Sequence, residues 1–210
     1  MHPRIYKHYL SLAEKYQMKG PFLEIGASPG PNSILAGSYF QGKPGRVGIN
    51  LSDKEMSDDG SGHKIEFVRA NSNDMRNEFA DNSFGTVLSN AVIEHDKYFW
   101  RSIEEIKRVL TPGGIMAIGA PGYIAQKHLK KVVLGEDLDH ATVTYNVHVQ
   151  PDYWRFSVKA FKDVICEGME ILEIHALMRV PIIVAVAKKP LPGEVPPPRV
   201  RASRRKAAAA

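Results

Sequence analysis

The chain is 210 residues long and has a single cysteine, Cys166. One thiol excludes any internal disulfide framework and reads as a small buried apolar residue. That usage suits a reducing compartment, so a cytoplasmic location is expected. No run of about 18 apolar residues occurs, which excludes a membrane-spanning helix. Met1-His2-Pro3-Arg4-Ile5 lacks the apolar centre of a signal peptide. No internal repeat is present. A strong charge of one sign is missing too. The net charge is +5, and residues 190–210 supply most of it, through Arg199, Arg201, Arg204, Arg205 and Lys206 against Glu194 alone. The rest of the chain is nearly neutral, which argues against a basic groove for nucleic acid. The tail is rich in Pro, then Arg and Ala, and reads as disordered.

Two glycine signatures are absent as well. The dinucleotide fingerprint Gly-x-Gly-x-x-Gly is broken in Gly26-Ala27-Ser28-Pro29-Gly30-Pro31, and Gly30 lacks the Lys-Ser/Thr of a P-loop. A dinucleotide-dependent oxidoreductase is disfavoured on that ground. What stands there is an apolar segment, Phe22–Ile25, running into a turn with Gly at 26 and 30. Such a turn lets backbone approach a ligand, because Gly adopts positive φ and has no Cβ. Free N–H groups at the start of a following helix offer donors to a polar or anionic group. Glu24, just before the turn, suits a ligand that also carries a cation.

Apolar spacing then alternates between the two regular periods. Residues 4–18 read as an amphipathic helix. Segments 22–25, 46–51, 65–69, 84–89 and 115–120 read as strands. Helices are expected over 32–40, 99–109 and 158–166, the second stopped by Thr111-Pro112-Gly113-Gly114. Segments 171–177 and 182–187 are strands too close together for an intervening helix, so they form an antiparallel hairpin. Strands interleaved with helices imply a mostly parallel α/β sheet. Residues 121–150 show no clear period. One domain over 1–189 is expected, with 121–157 as an acceptor-side insert and 190–210 as a tail.

Four segments in order resemble the class I S-adenosylmethionine-dependent methyltransferases, and in particular their small bacterial type. They are Leu23-Glu24-Ile25-Gly26-Ala27-Ser28-Pro29-Gly30, then Val47-Gly48-Ile49-Asn50-Leu51-Ser52, then the stretch from Asp81 to His95 that contains Ser89-Asn90-Ala91-Val92-Ile93-Glu94-His95, and finally Glu105-Ile106-Lys107-Arg108-Val109-Leu110-Thr111-Pro112-Gly113-Gly114. The resemblance implies a Rossmann-like doubly wound sheet with an antiparallel C-terminal strand and S-adenosyl-L-methionine as cofactor. Ligands bind such sheets at the carboxyl ends of the strands.

The same resemblance implies that the turn holding Gly26, Ala27, Ser28 and Gly30 wraps the amino-acid part of the cofactor. Glu24 would accept from its ammonium or from the turn's amides, or else merely cap the turn. Asn50 and Leu51 would face the ribose, and Asn71 and Ser72 the adenine. Asn stands at 50 and 71 where the family usually has an acid, and offers one carbonyl acceptor without charge. Met75 either packs on the adenine or fills the core. The backbone of Asn90 and Ala91 would line the cofactor near the reacting methyl.

Acceptor contacts are expected from 121–157 through Tyr123, Tyr145, Tyr153 and Arg155, since loops on a rigid scaffold carry specificity. Pro151-Asp152-Tyr153-Trp154-Arg155-Phe156-Ser157 looks like a segment of small bacterial methyltransferases associated with glycans or secondary metabolites. His148, His140 and His95 are the candidate general bases, needed only if the acceptor is a poorly ionised hydroxyl. His140, His148 and Asp152 match no compact metal-ligand spacing, so no metal is expected. The expected acceptor is a small molecule or glycan, methylated on oxygen. A catalytically weakened scaffold of the same fold is the second expectation, motivated by Asn50 and Asn71.

Overall fold

The computed structural model describes residues 1–28, 32–51, 64–123, 151–177 and 181–194, with Tyr123 described by its backbone only. Helix α1 is Pro3–Lys15, with Pro3 in its first turn. Ile5, Tyr9, Leu12 and Ala13 form its buried stripe. It stops short of the expected residue 18 because Gln17 turns left-handed, at φ 46°. Gln17 and Met18 then donate to the carbonyls of Glu14 and Ala13. This Schellman closure satisfies the last turn and buries Met18.

The strands are β1 Phe22–Ile25, β2 Arg46–Asn50, β3 Glu66–Arg69, β4 Phe84–Asn90, β5 Leu110–Tyr123, β6 Phe156–Ser157, β7 Glu170–Leu177 and β8 Ile182–Lys188. The sheet runs β3-β2-β1-β4-β5-β8-β7, with β6 beside β5. Strands β1 to β6 pair parallel, and β8 lies antiparallel to both β5 and β7. The expected doubly wound sheet with an antiparallel C-terminal strand is therefore present. Alternate residues serve opposite faces. Leu23, Val87, Ile183 and Ala185 pack in a core with Ile103, Ile106 and Val109 of helix α2, Phe99–Val109. Phe22, Leu88, Val184 and Val186 pack on the other face against α1.

Three expected elements differ. The helix over 32–40 is a single 3-10 turn, Ile34–Ala36. Gly37 ends it in extended backbone, where a Cβ would lie 2.4 Å from Leu10 Cδ2. Strand β5 absorbs the stop signal at 111–114 instead of starting at 115. Its register to β4 jumps from Phe84↔Leu110 to Thr86↔Ile115, with Gly113 at φ 77°. The last helix is α3, Val158–Ala160, capped by Ser157 and continued as a π-turn over Phe161–Ile165. Among the described residues no helix is long and apolar enough to cross a membrane.

Register sets up the site. Ile25 pairs with Ile49 on one side and with Ser89 on the other. The next residues, Gly26, Asn50 and Asn90, therefore leave the sheet at one level. Asn50 pairs in turn with Arg69, which delivers Ala70 and Asn71 to the same edge.

Candidate functional site

A cavity of about 710 Å³ opens at this carboxyl edge. Of the expected residues, Gly26, Asn50, Leu51, Asn71, Ser72, Ala91, His95 and Tyr153 line it. Gly26 has φ 73°, and a Cβ there would fall 2.3 Å from Val92 Cγ2, on another wall of the cavity. Ala91 is also left-handed, at φ 55°. Its N–H is held by the Gly119 carbonyl at 2.9 Å. A non-glycine residue in that region costs on the order of 1 kcal/mol and clusters at functional sites. Ala27 is buried, while Ser28 is half-buried and outside the cavity wall. Gly30, His140, Tyr145 and His148 lie outside the described residues, as does the side chain of Tyr123.

Glu24 does not face the cavity. Its buried carboxylate accepts from Ser33 Oγ at 2.5 Å and from the N–H groups of Ile34 and Leu35 at 3.0 and 3.1 Å. Burial raises its pKa and these three bonds oppose the rise. Of its expected roles, capping the turn is the one its geometry performs. Met75 is fully buried in the core under α2, and its N–H donates to Glu105.

Asn50 is a clasp. Its Nδ2 donates to the Ala27 carbonyl at 2.9 Å, and its Oδ1 accepts from the Leu51 N–H at 2.7 Å. An acid could not make the first bond, because two acceptor oxygens would face each other. Asn50→Asp is therefore expected to lower stability by about 1–3 kcal/mol in urea titration. An unchanged midpoint would remove the clasp.

The opposite wall carries a network that the sequence reading missed. Asp96 Oδ2 accepts from Asn73 Nδ2 and Ser102 Oγ, both at 2.6 Å, while Ser102 also reaches Ser72 Oγ at 2.8 Å. Asp96 Oδ1 holds the Tyr98 N–H, and the Asp96 carbonyl accepts from Trp154 Nε1. The signal available was an Asp ahead of a helix start. Tyr98, Trp100 and Tyr153 leave aromatic surface exposed nearby.

Arg155 does not line the cavity. Its guanidinium is 3% exposed and holds the fully buried Asp152 in a two-pronged pair. Glu94 lies beside this pair, and its carbonyl accepts from the N–H groups of Tyr153 and Trp154. Its carboxyl group is fully buried, with neither oxygen hydrogen-bonded among the described residues. Burial raises its pKa to about 8, its own backbone N–H and Arg155 opposing the rise and Asp152 adding to it. The native chain therefore keeps a proton that unfolded Glu releases near 4.5. Native protein binds the extra proton between those values, so stability falls as pH rises from about 4.5 to about 8. The loss reaches at most about 1.4 kcal/mol per pH unit. Glu94→Gln is expected to remove this slope, as checked by urea titration at several pH values across the window.

His95 also lines the cavity. Its Nδ1 lies 2.6 Å from the Pro151 carbonyl, which can only accept, so Nδ1 carries the proton. Asn90 Oδ1 is a buried acceptor with no partner among the described residues, at the end of β4 beside Gly119. Among the described residues no group of three His, Cys, Asp or Glu side chains could hold a metal ion.

The described residues form a doubly wound α/β sheet with a crevice at its topological switch point. Residues 23–118 match the Methyltransferase domain family. An uncharacterized methyltransferase of Mycobacteroides abscessus is 31% identical over 110 residues, covering 49% of this chain and 40% of its own. An uncharacterized protein of Methanocaldococcus jannaschii is 31% identical over 115 residues, 55% of this chain and 51% of its own. The chain thus spans about half the length of the curated relatives it matches, or less. Among solved structures, the 1,6-didemethyltoxoflavin-N1-methyltransferase of Burkholderia thailandensis, bound to 1,6-didemethyltoxoflavin and S-adenosylhomocysteine, is similar with a TM-score of 0.62. The match has 14% identity over 88% of this chain and 78% of that one. Residues 23–118 are thus similar to a Methyltransferase domain, and the fold is that of solved methyltransferases.

Proposed function

We propose that this chain transfers a methyl group from S-adenosylmethionine to an oxygen of a small molecule or glycan. The observation that carries the reading is the convergence of Gly26 and Asn50 at one level of the sheet, where both line the cavity together with Ala91. The residues present fit the cofactor. The left-handed Gly26 turn offers backbone to its amino-acid end. Leu51 would border the ribose, with Asn71 and Ser72 on the adenine side. When bound, the sulfonium supplies an activated methyl whose leaving group is neutral.

The chain's own contribution is orientation and a proton site. Holding the acceptor in line is the main requirement, since proximity and orientation supply much of the barrier reduction. Tyr98 and Tyr153 border the cavity and offer ring faces to an acceptor. His95, at the same wall, is the base for a hydroxyl acceptor. A second reading, a scaffold of the same fold, is favoured by Asn50, whose amide nitrogen and oxygen are both engaged within the chain.

Calorimetry with S-adenosylhomocysteine and S-adenosylmethionine separates the two. Micromolar binding supports the enzyme, and no heat at millimolar ligand sinks it. A labelled-methyl screen over sugar and phenolic acceptors then identifies the product class.

A further inference from the structure

The polar wall formed by Ser72, Asn73 and Asp96 has a fixed direction of hydrogen bonding. All three residues line the cavity, and Ser102 of α2 is buried beside them. Asp96 is the one carboxylate among the described residues that line this cavity. Three donors converge on it, Asn73 Nδ2 and Ser102 Oγ at Oδ2 and the Tyr98 N–H at Oδ1. Both of its oxygens therefore act as acceptors.

Ser102 has one hydroxyl proton and two oxygen neighbours to give it to. Asp96 Oδ2 lies at 2.6 Å and Ser72 Oγ at 2.8 Å. The charged acceptor holds the proton, because charge-assisted hydrogen bonds are about twice as strong as neutral ones. The contact between the two hydroxyls then has one workable polarity, with Ser72 Oγ donating and Ser102 Oγ accepting. Asn73 Nδ2 also donates to Ser102 Oγ, at 2.8 Å. Ser72 and Asn73 have thus committed their side-chain protons to the Asp96 network. What they keep for a ligand is acceptor capacity, the lone pairs of Ser72 Oγ and the Asn73 carbonyl Oδ1. Asn71, on the same edge, adds no charge, and its Oδ1 already accepts from the Asn73 N–H at 3.0 Å.

We propose that Asp96, acting through Ser102, fixes Ser72 as an acceptor and so selects a purine with an exocyclic amino group over one with an oxo group. This rests on the reading above that the adenine of an S-adenosyl ligand lies beside Asn71 and Ser72. An amino group donates to Ser72 Oγ, whereas an oxo group would set two acceptors against each other. Asp96 and Ser102 are positioning residues, and Ser72 is the residue that touches the ligand.

Replacing the carboxylate by an amide reverses the wall. In Asp96→Asn the Tyr98 N–H retains the amide oxygen, so the amide nitrogen takes the place of Oδ2 and donates to Ser102. Ser102 then donates to Ser72, and the Ser72 proton turns to the ligand.

The test is calorimetry on the full chain with S-adenosylhomocysteine and S-inosylhomocysteine, which carry an amino and an oxo group at the same purine carbon. Wild type is expected to favour the amino ligand about thirtyfold, in the range of one hydrogen bond to a charged network. Asp96→Asn and Ser72→Ala should each lower that ratio by about tenfold. Ser102→Thr keeps the hydroxyl and should keep the ratio. A merely structural role would weaken both ligands alike and leave the ratio where it was. An unchanged ratio in folded Asp96→Asn or in Ser72→Ala overturns the proposal. If Asp96→Asn loses its near-ultraviolet dichroism, the ratio in Ser72→Ala decides. Wild-type binding of S-adenosylhomocysteine without preference over S-inosylhomocysteine overturns this inference and leaves the cofactor reading standing. Binding of neither ligand at millimolar concentration removes the cofactor reading and this inference with it.

Discussion

Gly26→Val is expected to weaken S-adenosylhomocysteine binding at least a hundredfold, measured by calorimetry. Two effects combine. A β-branched residue is a strong outlier at φ 73°, and its Cβ would start 2.3 Å from Val92 Cγ2. The turn must then either flip or push Val92 into the cavity that both residues line. A hundredfold loss corresponds to about 2.7 kcal/mol, within what one overpacked site costs. Gly26→Ala should weaken binding less, by about tenfold. Adding Val92→Ala to Gly26→Ala relieves the collision but not the backbone conformation, so recovery should be partial. Unchanged affinity in folded Gly26→Val would contradict this site. The structure also refines why the glycine matters, since the first atom a side chain meets there belongs to the protein.

Arg155→Met is expected to destabilise the fold by about 3–5 kcal/mol, read from urea or thermal unfolding. The guanidinium is 3% exposed and pairs with the fully buried Asp152, and removing one partner of a buried pair leaves the other as an uncompensated charge. Replacing both, as in Asp152→Leu with Arg155→Met, should recover much of the loss. Because Arg155 lies outside the cavity wall, S-adenosylhomocysteine affinity of folded Arg155→Met at low temperature should change less than threefold. A stability change under 1 kcal/mol, or a selective loss of ligand affinity, would return Arg155 to the acceptor role that its position in the chain suggested.

That contrast shows where reading along the chain reaches its limit. Tyr153 and Arg155 are two residues apart in one aromatic, polar segment. One reaches the cavity and the other turns into the interior. Nothing in local composition distinguishes them, because the difference is made by Asp152 pairing with the guanidinium in the interior. Glu94 was likewise quoted only as part of a motif. Its chemistry depends on burial and on the charges of Asp152 and Arg155, 58 and 61 positions away. The Asn73–Asp96–Ser102 network spans three connections and has no linear spacing to find. The helix expected after the turn is cut to one 3-10 turn, which Gly37 ends in extended backbone.

The strands other than β6, their order of appearance, the turn at Gly26 and the antiparallel close were legible in the chain, with the start of β5 misplaced. Those features come from short-range physics: alternation of apolar residues, glycine's freedom at positive φ, and proline and glycine as stops. The resemblance to the methyltransferases was legible for the same reason, because its segments carry that local geometry in order. What waited for the folded arrangement was the direction in which each polar side chain points. Glu24 caps, Asn50 clasps, Arg155 is buried, and His95 meets Glu94. Each outcome depends on which distant segment removes water and which atoms lie within about 3 to 4 Å, the range over which hydrogen bonds and ion pairs act.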